Sequence, residues 1–215
     1  MILYHFPTSP FSRRARLALA HKGLTVDLRD ARASEEHRAA LRKINPVHTV
    51  PALVDGDLVI ADSMAICHYV DRKVPDPPLW PAGVEGAAVF QVAALTDTVV
   101  NVNADLGLRY SAVSDHPAFS EMKGEYVGRV QGALDRLAEL ATGASSRPGA
   151  FLIGHRWSLA DMSLLSVTAW LENMPARVAH FPPAKNILAL GWKLPGALSA
   201  WADRRRERPD FAALG

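Results

Sequence analysis

The chain has 215 residues, of which 49% are hydrophobic and 21% charged, and its formal net charge is +2. That balance is ordinary for a soluble globular protein with room for one large core or two modest ones, and it gives no bulk charge for a polyanion partner. One cysteine, Cys67, excludes an internal disulfide and a cysteine metal cluster, and the eight histidines lack ligand spacing.

Residues 2–6 form an apolar run that reads as a strand, without the basic start and apolar core of a leader peptide. No run of apolar residues approaches the ~18 of a membrane span, so a cytoplasmic protein with no membrane partner is expected. A helix follows over residues 11–22, closed by Gly23. Between strand and helix, Ser9 falls at the N-cap and Pro10 at the first helical position, where its missing N–H costs nothing. Such a turn aims free N–H groups and the positive end of the helix dipole at its occupant, favouring an anionic sulfur or oxygen. The plainer alternative is a cap worth about 1 kcal/mol, and Ser12 is also placed to cap.

Residues 25–28 read as a second short strand, which makes a strand–helix–strand unit with a parallel pair and a right-handed crossover. A polar helix over residues 34–42 is capped by Ser34. Asn45-Pro46-Val47-His48-Thr49-Val50-Pro51 then precedes an apolar strand at 52–54, and Pro51 is a turn proline suited to a cis bond. Asp55-Gly56 signals a hairpin to a strand at 58–60. Asp62-Ser63 opens a helix over 64–73, forming either a second anion site or an ordinary cap. Cys67, on the apolar side of that helix, reads as a buried small hydrophobe rather than a reactive thiol.

Four prolines within residues 74–81 make a stiff, extended connection. The expected division is 1–75, a linker at 76–84, and an all-helical part over 85–215. Two long helices are predicted at 85–110 and 118–141, with a loop at 143–149. Ser158-Leu159-Ala160-Asp161 is a capping box with aspartate in place of glutamate, so Asp161 is a structural carboxylate. It opens a helix to about residue 173 that is apolar nearly all round and belongs in the middle of a bundle. A final amphipathic helix spans 195–206 and is ended by Arg208-Pro209-Asp210-Phe211. The arginines at 204, 205, 206 and 208 suit a helix C-terminus, and no nucleic-acid partner is expected.

This order of elements, βαβαββα, then a proline-rich linker, then helices, resembles the soluble glutathione transferases over essentially the whole chain. The resemblance is carried by Ser9-Pro10-Phe11-Ser12-Arg13-Arg14-Ala15-Arg16, the Asn45–Leu53 stretch, Asp62-Ser63-Met64-Ala65-Ile66, and Ser158-Leu159-Ala160-Asp161. It implies a thioredoxin-like α/β N-terminal domain and an all-α helical-bundle C-terminal domain. It further implies that Ser9 hydrogen-bonds the glutathione sulfur, with Ser12 among the glutathione-binding residues as the alternative contact to that sulfur. Val50 would pair through its backbone with the cysteinyl part, beside Pro51 and Thr49, while Asp62 and Ser63 would hold the γ-glutamyl end. Glutathione would enter as cosubstrate, with no bound cofactor or metal.

The activity implied is conjugation of the thiolate to a small hydrophobic electrophile, in a cytoplasmic homodimer. Asn101, Asn103, Leu106 and Tyr110 are expected in the electrophile pocket. Rival readings are a non-catalytic binding protein of the same fold, or glutathione-dependent isomerisation or peroxide reduction. Relatives that isomerise maleyl acids carry Ser-Ser-Cys where this chain has Ser9-Pro10-Phe11. Cysteine-type relatives place a thiol where Ser9 stands.

Overall fold

The computed structural model describes residues 1–113, 116 and 118–207. Four short strands, β1 (Ile2–His5), β2 (Asp27–Asp30), β3 (Ala52–Asp55) and β4 (Leu58–Ala61), form one sheet in the order β2-β1-β3-β4. β1 and β2 are parallel, as the intervening helix requires; β3 pairs antiparallel with β1, and β4 antiparallel with β3. The second strand lies two residues later than its sequence pattern indicates, because Asp27 and Asp30 pair with Ile2 and His5. Its side chains are largely exposed, so backbone pairing rather than apolar alternation defines it. Gly56, at φ +61°, turns the β3–β4 hairpin.

Helices α1 (Pro10–His21), α2 (Glu35–Ile44) and α3 (Ser63–Lys73) complete the α/β part. α1 ends where Gly23 adopts φ +65°, and Leu24 N–H donates to the Leu19 carbonyl at 2.9 Å. The prolines that follow α3 are tied down rather than loose. Lys22 is buried and its Nζ donates to the carbonyls of Val74 (2.6 Å) and Pro77 (2.5 Å), and pairs with Asp71 at 2.7 Å. The backbone of Leu79 bridges Asp71 (2.7 Å) and Leu159 (3.1 Å).

The helical part consists of α4 (Gly83–Val113), α5 (Phe119–Ser145), α6 (Leu159–Glu172), α7 (Met174–Arg177), α8 (Pro183–Ala189) and α9 (Gly196–Arg206). α6 is buried along its length, the central position its composition predicts. Asp161 closes the capping box: its carboxylate accepts from the N–H of Leu152, the N–H of Ser158 and the Ser158 hydroxyl, each at 3.0 Å. α5 runs through Gly143 into the expected loop, because Ala141 and Ala144 are buried in the core that Trp201 of α9 also joins. Residues 148–150 then form a 3-10 turn. α7 and α8 have no counterpart in the sequence reading. The segment Gly83–Gly107 of α4 is long and apolar enough to cross a membrane by length and composition, contrary to the sequence expectation. Here it is a packed bundle helix, with Val89, Val92, Ala93, Val99 and Val100 in the same core as α6. The expected terminator at residues 208–211 lies outside the described residues.

Candidate active site

The turn between β1 and α1 is built by two serines with different fates. Ser9 is the N-cap, at φ −75° and ψ 128°, and its Oγ accepts from the Ser12 N–H at 3.3 Å. Its own O–H remains available to donate. Ser12 is wholly buried, with its Oγ facing the Phe6 N–H at 3.4 Å, and it braces the turn from inside. Of the two hydroxyls, Ser9 is the one that lines a cavity. The first turn of α1 carries no acidic side chain, so nothing offsets the positive end of its dipole.

Thr49, Val50, Pro51, Asp62 and Ser63 gather around one cavity of about 410 Å³. Buried Asn45 organises its first wall. Its Nδ2 donates to the Thr49 carbonyl at 2.8 Å, and its Oδ1 accepts from the Val47 N–H at 3.0 Å. The Val50–Pro51 bond is cis. Among the described residues, neither the N–H nor the carbonyl of Val50 engages a protein partner, which leaves both for an extended peptide ligand. On the opposite wall Asp62 caps α3: its Oδ1 accepts from Met64 N–H (2.7 Å) and Ala65 N–H (3.2 Å). Asp62 sits at φ +79°, a region non-glycine residues seldom adopt, and such strain concentrates at functional sites. Ser63 is buried beside it, and Asp97 and Asn101 of α4 close the cavity.

A second cavity, of about 290 Å³, opens on the Ser9 side, and Phe11 lines both. Its walls are mainly apolar, including Pro10, Val100, Trp170, Phe181 and Ile187, but Arg32, Arg177 and His180 also face it. Arg177 donates to the Thr8 carbonyl at 3.2 Å, and Arg32 to the Thr8 hydroxyl at 3.4 Å. Among the described residues no carboxylate lies within ion-pair distance of either. Burial, then the positive charges of Arg13 and Arg32, hold the Arg177 pKa below its ordinary value. Burial and Arg13 likewise bring Arg16 down to about 10. Arg32 and Arg177 give this cavity a positively charged lining.

The residues expected here from sequence are partly displaced. Asn101 lines the first cavity, whereas Asn103 is fully buried with its Nδ2 on the Val99 carbonyl at 2.8 Å, and Leu106 is turned into the core. The side chain of Tyr110 lies outside the described residues. Val100 and Ala104, one helical turn apart, present the α4 face that meets the second cavity. Arg177 and His180 escaped sequence reading because α7 and the loop after it join the site only through tertiary packing, which also brings them beside Arg32 in the turn after β2. Close approach makes this possible: a Cβ on Gly107 would lie 2.3 Å from Cγ1 of Ile187 on α8.

Cys67 is completely buried, as expected, and burial pushes its thiol up to about 12. Among the described residues, no three or more His, Cys, Asp or Glu side chains converge as a metal site would require.

Residues 3–78 match the family model "Glutathione S-transferase, N-terminal domain". "Glutathione S-transferase Z1" of Arabidopsis thaliana is 45% identical over 112 residues, so the match spans about half of each chain (50% and 51%). "Probable maleylacetoacetate isomerase" of Vibrio cholerae is 29% identical over 208 residues, covering 93% of this chain and 94% of its own. A glutathione S-transferase structure from Methylobacterium radiotolerans, in complex with glutathione sulfonate, superposes with a TM-score of 0.74 at 24% identity. That superposition covers 99% of this chain and 92% of the other. Residues 3–78 thus resemble a glutathione S-transferase N-terminal domain, and over nearly its full length the chain shares the fold of the glutathione transferases.

Proposed function

We propose that the protein binds glutathione in the larger cavity and uses its thiolate to attack an electrophilic carbon held in the smaller one. The observation that carries this reading is that the two cavities share Phe11 as a wall, with Ser9 at the start of α1 lining the smaller one. A free thiol has a pKa of about 8.5 and is mostly protonated at neutral pH. A hydroxyl donor and an electropositive helix start both favour the thiolate, so the protein activates a nucleophile brought by its cosubstrate. Val50 would pair with the cysteinyl backbone, Thr49 and Pro51 would shape that wall, and Asp62 and Ser63 would receive the γ-glutamyl end. Ser12 supports the turn and makes no direct contact in this scheme. The division into residues 1–75, 76–84 and 85–215 assigns glutathione to the first part and most of the electrophile pocket to the last.

The acceptor is a small molecule with an apolar body and an acidic group, since apolar walls surround Arg32 and Arg177, neither of which has a carboxylate partner among the described residues. The same arginines favour a second reading, isomerisation of an unsaturated acid, in keeping with the relative named a probable maleylacetoacetate isomerase. Two measurements separate the readings. Calorimetric titration with glutathione should give saturable heat and an ultraviolet thiolate signal; absence of both would sink either form of the proposal. With an unsaturated acid as acceptor, conjugation consumes one thiol per turnover and isomerisation consumes none. Saturable binding without turnover of several electrophiles would favour a binding module instead.

A further inference from the structure

Arg32 stands on the turn after β2, and hydrogen bonds fix the backbone around it. Its N–H donates to Asp30 Oδ1 at 2.8 Å, and its carbonyl accepts from Arg38 Nη2 at 3.1 Å. The Ala31 carbonyl accepts from Nε of the same arginine at 3.2 Å. From this mount the Arg32 side chain lies against Phe6, its guanidinium carbon 4.6 Å from the ring centroid, and 6.0 Å from that of Phe181 in the loop after α7. Among the described residues the guanidinium makes one hydrogen bond, the long one of 3.4 Å to the Thr8 hydroxyl. Arg177 reaches the carbonyl of the same threonine from the helical part, at 3.2 Å. Two like charges thus converge on the residue that precedes Ser9, and an anion between them would turn their repulsion into attraction.

We propose that Arg32 is the specificity-determining residue of the smaller cavity: its guanidinium receives the acidic group of the acceptor and sets the preference for an acid over a neutral compound of the same shape. The inference rests on the reading that the larger cavity takes glutathione and the smaller one its acceptor. A guanidinium presents its N–H donors in one plane, matched to the two oxygens of a carboxylate. Contact with Phe6 holds that plane, and the hydrogen-bonded turn holds its root, so little freedom is lost when the anion arrives. A carboxamide has one oxygen and no charge, and its own N–H groups would face those of Arg32. Val100, Trp170 and Ile187 supply apolar walls from α4, α6 and α8, whereas Arg32 belongs to the α/β part. A bound acceptor therefore spans both parts, with its acidic end on the α/β side.

Binding of glutathione S-conjugates, which fill both cavities, tests this without a known natural acceptor. Two acid–amide pairs are titrated calorimetrically into the full chain: carboxymethyl with carbamoylmethyl, and 4-carboxybenzyl with 4-carbamoylbenzyl, which set the charge at two distances from the sulfur. Wild type should bind the acid of at least one pair about tenfold or more tighter than its amide, as a hydrogen bond to a charged group implies. Arg32→Gln should reduce that ratio to about threefold or less, with glutathione itself bound within about twofold of wild type, because Arg32 lies outside the larger cavity. Arg32 is an exposed turn residue, so this variant should keep the wild-type thermal midpoint. Arg42→Gln removes a charge of the same sign from the exposed side of α2 and should leave the ratio unchanged. A ratio that survives Arg32→Gln, or that Arg42→Gln lowers equally, would overturn the proposal. Wild type that binds glutathione but prefers the acid in neither pair also overturns it and leaves the glutathione reading standing. Wild type that does not bind glutathione removes that reading, and the proposal with it.

Discussion

Two serines three positions apart in one turn invite separate mutation. Ser9→Ala should lower turnover by about tenfold or more while leaving glutathione affinity within a few-fold, because the lost bond acts mainly on the ionised sulfur. Steady-state kinetics with glutathione varied would show this as a fall in kcat at nearly constant KM, and unchanged turnover would remove Ser9 from the mechanism. Ser12→Ala should instead act on stability, since its buried hydroxyl faces a backbone N–H inside the turn. Sequence made Ser9, Val50, Asp62 and Ser63 legible because their setting is local: a cap, a residue before proline, a helix start. Arg14 was equally visible in the sequence. Its hydrogen-bond partners Ser63, Asp97 and Ser163 lie 49, 83 and 149 positions away, so nothing local could reveal them.

At the scale of elements, the start of α6 gives the clearest pH signature. Burial raises the Asp161 carboxyl to about 6, above its unfolded value, against the three hydrogen bonds that favour the ionised form. Between pH 4 and 6 the folded chain therefore holds a proton that the unfolded chain has released. The contribution of Asp161 to stability is accordingly greatest at low pH, falls as pH rises through that window, and levels off above it. Asp161→Asn should lack this slope. Denaturant melts at pH 4 and pH 7 should show the difference between wild type and variant changing by about 3 kcal/mol in that direction. A constant difference would mean that the carboxyl titrates normally. The capping box was readable because it lies within four consecutive residues. α7 and α8 were not, since four and seven residues are too few to display a helical period.

For the whole molecule, we propose the homodimeric state that the family resemblance implies. Apolar side chains remain exposed on β4 (Leu58, Val59) and near the start of α4 (Val84, Phe90), on surfaces that a second copy could cover. Sedimentation should return twice the 23.3 kDa of the single chain, and a monomer at micromolar concentration would refute the expectation. The membrane-like composition of Gly83–Gly107 belongs at this scale too. A helix packed against several others is as apolar as one in lipid, and only its neighbours tell the two apart.

The sequence by itself determined the βαβαββα order, the helical second part, and that Thr49, Val50, Pro51, Asp62 and Ser63 stand on adjoining turns, where they line one cavity. Each of these depends on near neighbours along the chain: apolar period, turn chemistry and caps. Tertiary structure alone decided which face of α4 meets the second cavity, which arginines charge it, and how Arg14 joins α1, α3, α4 and α6. Those facts arise from helix register and from contacts across the fold, where sequence distance carries no information about spatial distance.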